Sequence, residues 1–268
     1  MLQPFWSRGS IGGVVSDLDG VVYRGEAPIA SSIEAFRRWR EQGVPYAFVT
    51  NNSSLSASQF AEKLSRMGVA VTRAQIFTTI EASAALLRQR WPHGGRAYVI
   101  GEAPLREAVE DAGFTLAGAD ADVVVIGFDC SLTYDKLRIA PRAALGGASV
   151  IATNPDALTP VSDGYDPCVG MTIAAISAAV PEAEIIVVGK PQPFMIERAV
   201  ALLGVAKSEA IMIGDQLATD IVAGQRAGLR SILLASDAPF NGASTTTPDR
   251  IVASLLDLVE FPVGAGQS

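Results

Sequence analysis

The sequence is poor in cysteine, histidine and basic residues. Its 268 residues include only two cysteines, Cys130 and Cys168, and a single histidine, His93. Two cysteines so far apart match neither a disulfide framework nor a zinc-site spacing, and their rarity is typical of proteins from a reducing compartment. Lysine and arginine number 21 against 28 acidic residues, a formal charge of -7. Nucleic acids and anionic lipids are bound by clustered positive charge, so we expect neither as a partner.

Long apolar runs are also missing. Residues 1–13 contain no apolar stretch of signal-peptide length. The uncharged run at 167–181 is bounded by prolines and is too short to cross a bilayer. We therefore expect a cytoplasmic protein with no membrane partner. Apolar residues nevertheless make up 49% of the chain, which is enough for a sizeable core.

Short apolar runs alternate with segments of helical period. The run IGGVV at 11–15 predicts a buried strand, and PYAFVT at 45–50 predicts another. Between them, the segment 31–43 predicts a helix, with Ser31 and Glu34 as a capping box at its start. This β-α-β-α order predicts a parallel sheet covered by helices, that is, a doubly wound α/β fold.

The middle of the chain repeats this alternation as a separate section. It contains a long loop at 154–170 that is rich in proline, aspartate and glycine. After it, the strands predicted at 184–189 and 211–214 resume the first pattern. We therefore predict a discontinuous core domain, residues 1–79 and 184–268, and an inserted α/β domain at 80–183.

Polar side chains follow four of the predicted core strands, where each strand ends. In open parallel α/β sheets, ligands bind outside the carboxyl ends of the strands, so these side chains are expected to converge. They are Asp17 and Asp19 after the first strand, Thr50, Asn51 and Asn52 after the second, Lys190 after the third, and Asp215 and Asp220 after the fourth.

Each short pattern alone has an ordinary explanation. A calcium-binding EF-hand loop beginning at Asp17 would need glycine and glutamate where this chain has Val22 and Pro28. Lys190 is followed by proline, where a Walker phosphate loop requires serine or threonine. The polar residues after the second and fourth strands also suit simple strand-to-helix turns.

Together, the same residues favour a cation site next to an anion site. Neighbouring carboxylates cannot all ionise without a cation between them, and oxygen ligands select a hard ion such as Mg²⁺. A lysine and the backbone amides at a helix start would stabilise an anion. This combination suits the charge of a transferring phosphoryl group.

Four stretches in chain order resemble the motifs of the haloacid dehalogenase (HAD) superfamily. They are DLDGVVYRG at 17–25, VTNNSS at 49–54, VGKPQP at 188–193 and IGDQLATDIVAGQRAG at 213–228. Within the superfamily, the chain is similar to the NagD-like, 4-nitrophenylphosphatase branch, which carries an α/β (type II) cap between the second and third motifs. The stretch IATNPD at 151–156 also matches that branch.

The resemblance implies a Mg²⁺-dependent phosphomonoesterase that works through an aspartyl-phosphate. Asp17 would be the nucleophile. Asp19 would protonate the leaving oxygen and then assist the attacking water, while Lys190 would balance the charge of nucleophile and phosphate. Mg²⁺ would be held by Asp17, the backbone carbonyl of Asp19 and Asp215. Asp220 would hold a water on the metal or orient Lys190.

The resemblance also implies a substrate class. The substrate would be a small phosphate ester of the sugar phosphate, phosphoglycolate, nucleotide or aryl phosphate type. The phosphoryl oxygens would be bound after the second strand by Thr50, Asn51 and Asn52. The cap would set specificity and would form a homodimer. Candidate substrate contacts in the cap are Asn154, Asp156, Tyr165 and Asp166.

Two other functions stay open on the sequence. The same intermediate would serve a phosphotransferase or mutase, because an acceptor other than water could take the phosphoryl group. A non-catalytic protein that binds phosphorylated metabolites could use the same fold. Such a protein is expected to lose at least one catalytic group, whereas all four of them are present here: Asp17, Asp19, Lys190 and Asp215.

Overall fold

The computed structural model describes residues 11–161, 164–235 and 245–259. The chain forms two compact units, which we describe one at a time. Unit 1 holds the described residues up to Val49, Phe60–Phe77 and the described residues from Lys190 onward, and unit 2 holds Thr50–Gln59 and Thr78–Gly189.

The strands of both units are short. Four of them are buried at every residue, as expected for strands of parallel sheets that are covered on both faces. In chain order they are β1 Gly13–Ser16, β2 Tyr23–Arg24, β3 Ala27–Pro28, β4 Tyr46–Thr50, β5 Ile76–Thr78, β6 Gly95–Ile100, β7 Phe114–Leu116, β8 Val123–Ile126, β9 Ser149–Ala152, β10 Leu158–Val161, β11 Gly164–Pro167, β12 Ile185–Val187, β13 Ala210–Gly214, β14 Arg230–Leu234 and β15 Arg250–Val252.

The helices alternate with these strands. Within the described ranges, none of them is long and apolar enough to cross a membrane. In chain order they are α1 Ala30–Glu41, α2 Ala57–Arg66, α3 Thr79–Arg90, α4 Ala103–Asp111, α5 Tyr134–Leu145, α6 Val169–Ala179, α7 Phe194–Leu203, α8 Val222–Arg226 and α9 Leu256–Val259, with a 3₁₀ turn at Arg73–Gln75 and a π-helical turn at Leu217–Ile221.

The start of α1 differs from the predicted capping box. Ile29 occupies the N-cap position without a side-chain hydrogen bond, and Ser31 lies inside the helix. The Glu34 side chain instead pairs with Arg37 at 2.6 Å and Arg38 at 2.8 Å, on the next turn. The capping-box prediction was wrong because two arginines within reach of Glu34 compete with the backbone for its carboxylate.

Unit 1 is built on a six-stranded sheet with the order β15-β14-β13-β1-β4-β5. The central strand β1 pairs in parallel with β13 on one side and β4 on the other, with Ser16 opposite both Ile213 and Phe48. The chain thus leaves β1 towards one side of the sheet and returns later on the other. Open α/β sheets bind ligands at such a divergence of strand order, and Asp17 is the residue that follows β1.

A cluster of four aromatic rings packs α1 against this sheet. Phe36 of α1 is fully buried, and its ring centroid lies 5.2 Å from Trp39, 5.2 Å from Tyr46 and 4.9 Å from Phe48. The rings meet edge to face or tilted, which is the favourable arrangement of aromatic pairs. The cluster therefore packs α1 against β4.

Unit 2 contains a five-stranded sheet with the order β12-β9-β8-β6-β7, in which all neighbours are parallel. Its core includes Ile100, Val124, Ile126 and Ile176, all completely buried. Both units thus have the predicted α/β architecture, and the fold class is confirmed.

Two details of unit 2 differ from expectation. The segment predicted as a core strand at 184–189 forms β12, which pairs with β9 in the sheet of unit 2. An apolar run suits either sheet, so the pattern carries no information about the partner strand. The predicted loop at 154–170 also contains the antiparallel hairpin of β10 and β11. The residues of β11 are exposed, so the hairpin has no apolar face to signal it.

The aromatic cluster makes a test of the core possible. Phe36→Ala removes a buried ring that contacts three others, so we expect it to lower the free energy of unfolding by about 3–5 kcal/mol. The matched control is Leu202→Ala on α7, where the side chain is exposed and the expected change is within about 0.5 kcal/mol. Urea denaturation followed by circular dichroism measures both. Equal losses in the two variants would contradict the assignment of the cluster to the core.

Candidate active site

Asp17 is held in place by its backbone at the end of β1. Its N–H donates to the carbonyl of Ile213 on β13 at 2.9 Å, and the Ser16 hydroxyl donates to its carbonyl at 2.7 Å. The Asp17 carboxylate is buried, and its Oδ1 accepts from Lys190 Nζ at 2.5 Å. The carboxylate is therefore fixed at the carboxyl end of the central strand.

Lys190 lies between two carboxylates. Its side chain is only 2% exposed, and Nζ lies 2.5 Å from Asp17 Oδ1 and 2.7 Å from Asp220 Oδ1. It also donates to the carbonyl of Val49 in β4 at 3.4 Å. Burial by itself would lower the pKa of this ammonium group, but Asp17 and Asp220 outweigh it and hold the pKa above its ordinary value. Lys190 therefore stays positively charged.

Asp215 and Asp220 complete an acidic cluster with Asp17. Asp215 follows β13, and Asp220 lies in the π-helical turn, where the Gln216 N–H donates to its Oδ2 at 3.1 Å. Ligand oxygens of the three carboxylates all lie within 4.8 Å of one another. The single ammonium of Lys190 faces three carboxyl groups, so the cluster carries excess negative charge when all of them ionise.

Burial and mutual repulsion raise the pKa values of two carboxyl groups in the acidic cluster. Burial raises the pKa of Asp17 well above its ordinary value, and Asp220 and Asp215 add to the shift while Lys190 opposes it. Burial and the neighbouring Asp220 raise the pKa of Asp215 to about 7. Groups of this kind ionise fully at neutral pH only when more positive charge is supplied.

The cluster fits a hard divalent cation. Asp215 Oδ1 is buried and has no hydrogen-bond partner among the described residues, although buried carboxylate oxygens are normally satisfied. Gly20 has φ +81, and a Cβ atom there would lie 3.1 Å from Asp215 Oδ1 and closer still to its other oxygen. Only glycine leaves the carboxylate this room. An all-oxygen donor set of this size suits Mg²⁺.

Asp19 has a partner that sequence reasoning missed. Tyr23 is completely buried, and its hydroxyl donates to Asp19 Oδ2 at 3.1 Å. The turn between them is closed by the Gly20 N–H, which donates to the Tyr23 carbonyl at 2.8 Å. Burial raises the pKa of Tyr23, and Asp19 raises it further, so the phenol remains a donor. The one available signal was a tyrosine, with its polar hydroxyl, at the end of the short run VVY at 21–23.

The predicted phosphate-binding residues form a tight loop in unit 2. Thr50 ends β4 and is buried, and its Oγ1 accepts from the Asn52 N–H at 3.0 Å. Asn52 Oδ1 in turn accepts from the Ser54 N–H at 2.9 Å and its hydroxyl at 2.6 Å. Local side-chain to backbone bonds thus shape the loop directly after the strand.

The predicted cap residues fall into two groups. Asn154 and Asp156 both contact Asn51, at 2.8 Å and 3.0 Å. Tyr165 and Asp166 lie on β11 with exposed side chains. Asp166 lines a cavity of about 310 Å³ in unit 2, whose other walls include Phe128, Asp129, Cys130, Cys168 and Met171. The structure therefore assembles one cluster around Lys190 in unit 1 and another around Asn51 in unit 2.

Similarity to known proteins covers both units. The family model of the haloacid dehalogenase-like hydrolases matches residues 14–115, and a HAD-hydrolase-like model matches residues 187–258. A relative in Bacillus subtilis, 5'-nucleotidase YutF, is 39% identical over 222 residues, which are 83% of this chain and 86% of the relative. An acid sugar phosphatase of Staphylococcus epidermidis is 34% identical over 220 residues, 81% of this chain and 83% of the relative.

Solved structures show the same likeness. A double mutant of a thermostable NPPase from Geobacillus stearothermophilus superposes with a TM-score of 0.83 at 36% identity, covering 93% of this chain and 98% of that one. A p-nitrophenyl phosphatase from Archaeoglobus fulgidus gives a TM-score of 0.82 at 30% identity, covering 94% and 99%.

The family matches also include the clustered side chains. Asp17 and Asp19 fall in the first matched segment, and Lys190, Asp215 and Asp220 fall in the second. Sequence identity, fold and cluster geometry thus agree, and the chain belongs to the family of haloacid dehalogenase-like hydrolases.

Proposed function

We propose that the protein is a Mg²⁺-dependent phosphomonoesterase that hydrolyses a small organic phosphate through an aspartyl-phosphate on Asp17. The observation that supports this most directly is the setting of the Asp17 carboxylate. It is buried at the end of the central strand, with one oxygen on Lys190 and two further acids alongside. The names of the relatives, 5'-nucleotidase and acid sugar phosphatase, also describe the hydrolysis of phosphate monoesters.

The metal would be held by Asp17, Asp215 and the backbone carbonyl of Asp19. When bound, Mg²⁺ supplies positive charge that stabilises the developing charge on the phosphoryl oxygens. Of the two roles considered for Asp220, the 2.7 Å contact to Lys190 favours orientation of the lysine. Asp220 then keeps the ammonium directed at Asp17 throughout the reaction.

The chemistry divides into two proton-coupled steps. In the first, an Asp17 oxygen forms a bond to phosphorus as the bond to the leaving oxygen breaks, and Asp19 gives its proton to that oxygen. In the second, water attacks the phosphorus of the aspartyl-phosphate and gives a proton to Asp19, which releases inorganic phosphate and restores Asp17. The Tyr23 hydroxyl donates to Asp19 Oδ2, which orients the carboxyl group for both proton transfers.

The loop after β4 would hold the phosphoryl oxygens during both steps. Thr50 ends β4, and β4 pairs with β1, so the two strands have neighbouring carboxyl ends. The hydroxyl of Thr50, the backbone N–H of Asn51 and the side-chain amide of Asn52 are the expected donors. Backbone and side-chain donors placed before the reaction are effective because they need no reorganisation in the transition state.

The two predicted domains would have different roles in the reaction. We assign catalysis to the core domain predicted at 1–79 and 184–268, and recognition of the leaving group to the inserted domain predicted at 80–183. In the latter, Asp166 and the cavity beside it, together with Tyr165, are the proposed contacts to the organic group. A homodimer through this domain and a cytoplasmic location stay predictions of the sequence.

Loss of the nucleophile should abolish turnover. We expect wild-type protein to release phosphate from members of a panel containing a sugar phosphate, phosphoglycolate, a nucleoside monophosphate and p-nitrophenyl phosphate, in a Mg²⁺-dependent manner. Asp17→Asn should reduce release to background, because enzymes accelerate such hydrolyses by up to about 10²¹-fold and little of this survives without the nucleophile. Phosphate is measured colorimetrically. The control is Asp135→Asn, an exposed carboxylate on α5.

The same assay distinguishes the alternatives. No release from any ester by folded wild-type protein, checked by circular dichroism, would contradict the proposed function. Release of more alcohol than phosphate in the presence of glycerol would indicate a phosphotransferase.

If Asp19 is the proton donor, the rate lost on its substitution should depend on the leaving group of the ester. Asp19→Asn should slow the first step for a sugar phosphate by about 10²–10⁴-fold, the usual contribution of general acid catalysis. Formation of p-nitrophenol should slow much less, because p-nitrophenolate leaves without a proton. The second step still needs a base, so p-nitrophenol should appear as a stoichiometric burst in rapid-mixing experiments. Equal slowing of the first step for both esters would contradict the assignment.

Metal binding should depend on pH through the raised carboxyl pKa values. The folded protein keeps protons on Asp17 and Asp215 that the unfolded chain, with carboxyl pKa values of about 3.9, releases. Metal-free stability should therefore fall as pH rises from about 4 through 7. Mg²⁺ competes with these protons, so it should raise the melting temperature more at pH 8 than at pH 5.5.

Thermal melts with EDTA or with excess Mg²⁺ measure this difference. Saturation at 100 times the dissociation constant corresponds to about 2.7 kcal/mol of stabilisation. Asp215→Ala should lose the effect, while Asp135→Asn should retain it. Stabilisation by Mg²⁺ that is equal at both pH values would count against metal binding at these carboxylates.

A further inference from the structure

A cluster of buried polar side chains in unit 2 surrounds the loop after β4. Ser53, Thr79 and Thr153 are completely buried, Asn154 is 1% exposed and Asn51 is 9% exposed. Burial of hydroxyl and amide groups costs free energy unless each finds a hydrogen-bond partner. The contacts made inside this cluster therefore determine whether the loop keeps its shape.

Asn154 holds the main chain of Asn51. Its Nδ2 donates to the Asn51 carbonyl at 2.8 Å and also contacts Thr153 Oγ1 at 3.2 Å. The Thr79 hydroxyl donates to the same Asn51 carbonyl at 3.3 Å. The carbonyl of Asn51 thus accepts two hydrogen bonds from parts of the chain that are distant in sequence.

Asp156 holds the side chain of Asn51. Its Oδ2 accepts from Asn51 Nδ2 at 3.0 Å. The orientation of Asp156 is set by Asn154, whose Oδ1 accepts from the Asp156 N–H at 3.1 Å. Asn154 and Asp156 therefore act as a pair, one on the carbonyl and one on the amide group of the same residue.

These contacts extend to Thr50 through one planar peptide. The peptide between Asn51 and Asn52 has its carbonyl on Asn154, and its N–H donates to Thr50 Oγ1 at 3.0 Å. Because a peptide is planar, fixing the carbonyl also fixes the direction of the N–H. The Thr50 oxygen accepts this bond, which directs the hydroxyl proton elsewhere, to a phosphoryl oxygen under the proposed function.

Asn51 is also closely packed against the backbone of Gly189. The backbone of Gly189 donates to the Thr153 carbonyl at 2.8 Å, and a Cβ atom on Gly189 would lie 2.6 Å from Asn51 Oδ1 and 2.7 Å from Thr79 Cγ2. Glycine is thus required for close packing at this position. A side chain at position 189 would therefore displace Asn51 or Thr79.

We propose that Asn154 and Asp156 are positioning residues that hold the peptide after Asn51 so that Thr50 is oriented towards the phosphoryl group. This inference rests on the proposed function, and it replaces the substrate contact that the sequence suggested for these two residues. Both side chains are engaged within the chain at the atoms described above. They act through Asn51 on the part of the substrate that all phosphate esters share.

The test compares Asp156→Ala with the conservative Asp156→Asn. Asparagine keeps an acceptor oxygen for Asn51 Nδ2, so Asp156→Asn should stay near wild type. Asp156→Ala should lower kcat/KM by about 10²-fold, the usual cost of a misplacement of about 1 Å in an active site. The loss should be the same for p-nitrophenyl phosphate and for a sugar phosphate. The inhibition constant of inorganic phosphate should rise too, because phosphate carries no leaving group.

A second measurement does not depend on activity. Amide hydrogen exchange over residues 50–54 should be faster in Asp156→Ala and in Asn154→Ala than in wild type and in the control Asp135→Ala. If wild type hydrolyses no ester, the proposed function fails, while hydrogen exchange still reports on the positioning role. Asn154 is the more deeply buried of the two side chains. If Asn154→Ala fails to fold, Asp156→Ala is the decisive variant.

Three outcomes would overturn the inference. One is a loss confined to a single ester with unchanged phosphate inhibition, which would make Asp156 a contact to the leaving group. Another is an equal loss in Asp156→Asn and Asp156→Ala, which would point to a role of the charge. The third is unchanged hydrogen exchange over 50–54 in Asp156→Ala.

Discussion

The acidic cluster of this hydrolase depends on one buried lysine. Lys190 lies 2.5 Å from Asp17 and 2.7 Å from Asp220, with 2% of its side chain exposed. An unpaired ammonium or carboxylate at that depth would be strongly destabilising, so each charge is tolerated because of the others. The pairing joins the residue after β1 to the turn after β13, and it adds to the backbone hydrogen bonds that hold those two strands together.

The same pairing leaves the site short of positive charge. Three carboxyl groups share one ammonium, and burial together with their mutual repulsion raises the pKa values of Asp17 and Asp215. The unsatisfied oxygen of Asp215 and the room provided by Gly20 lie at the same place. A divalent cation would supply what is missing and would favour the ionised form of both carboxyl groups. Charge balance thus links the acidic cluster to the metal proposed for it.

A different kind of interaction organises the loop after β4. Around Asn51 the partners are neutral amides and hydroxyls together with the carboxylate of Asp156, and the cluster is satisfied by hydrogen bonds made within unit 2. Such a network has one good geometry, because a misplaced member leaves a buried polar group unpaired. It therefore suits a loop that must present donors in a fixed arrangement.

Sequence reasoning was sufficient for the α/β class, the acids and lysine at the strand ends, and the family, because alternating apolar runs and short motifs are local properties of the chain. Asp17 and Asp215 could be placed at a common edge from the strands that they follow, whereas Lys190 follows a strand that pairs in the sheet of unit 2. The bonds of Asn154 and Asp156 to Asn51 and the pairing of β12 with β9 were found only in the tertiary structure. The bonds to Asn51 join residues 103 and 105 positions apart, and β12 had a choice between equally apolar partners. The bond from Tyr23 to Asp19 spans only four residues, but it depends on the turn that the Gly20 N–H closes. Periodicity and motifs do not encode these contacts, since they arise from the packing of the folded chain.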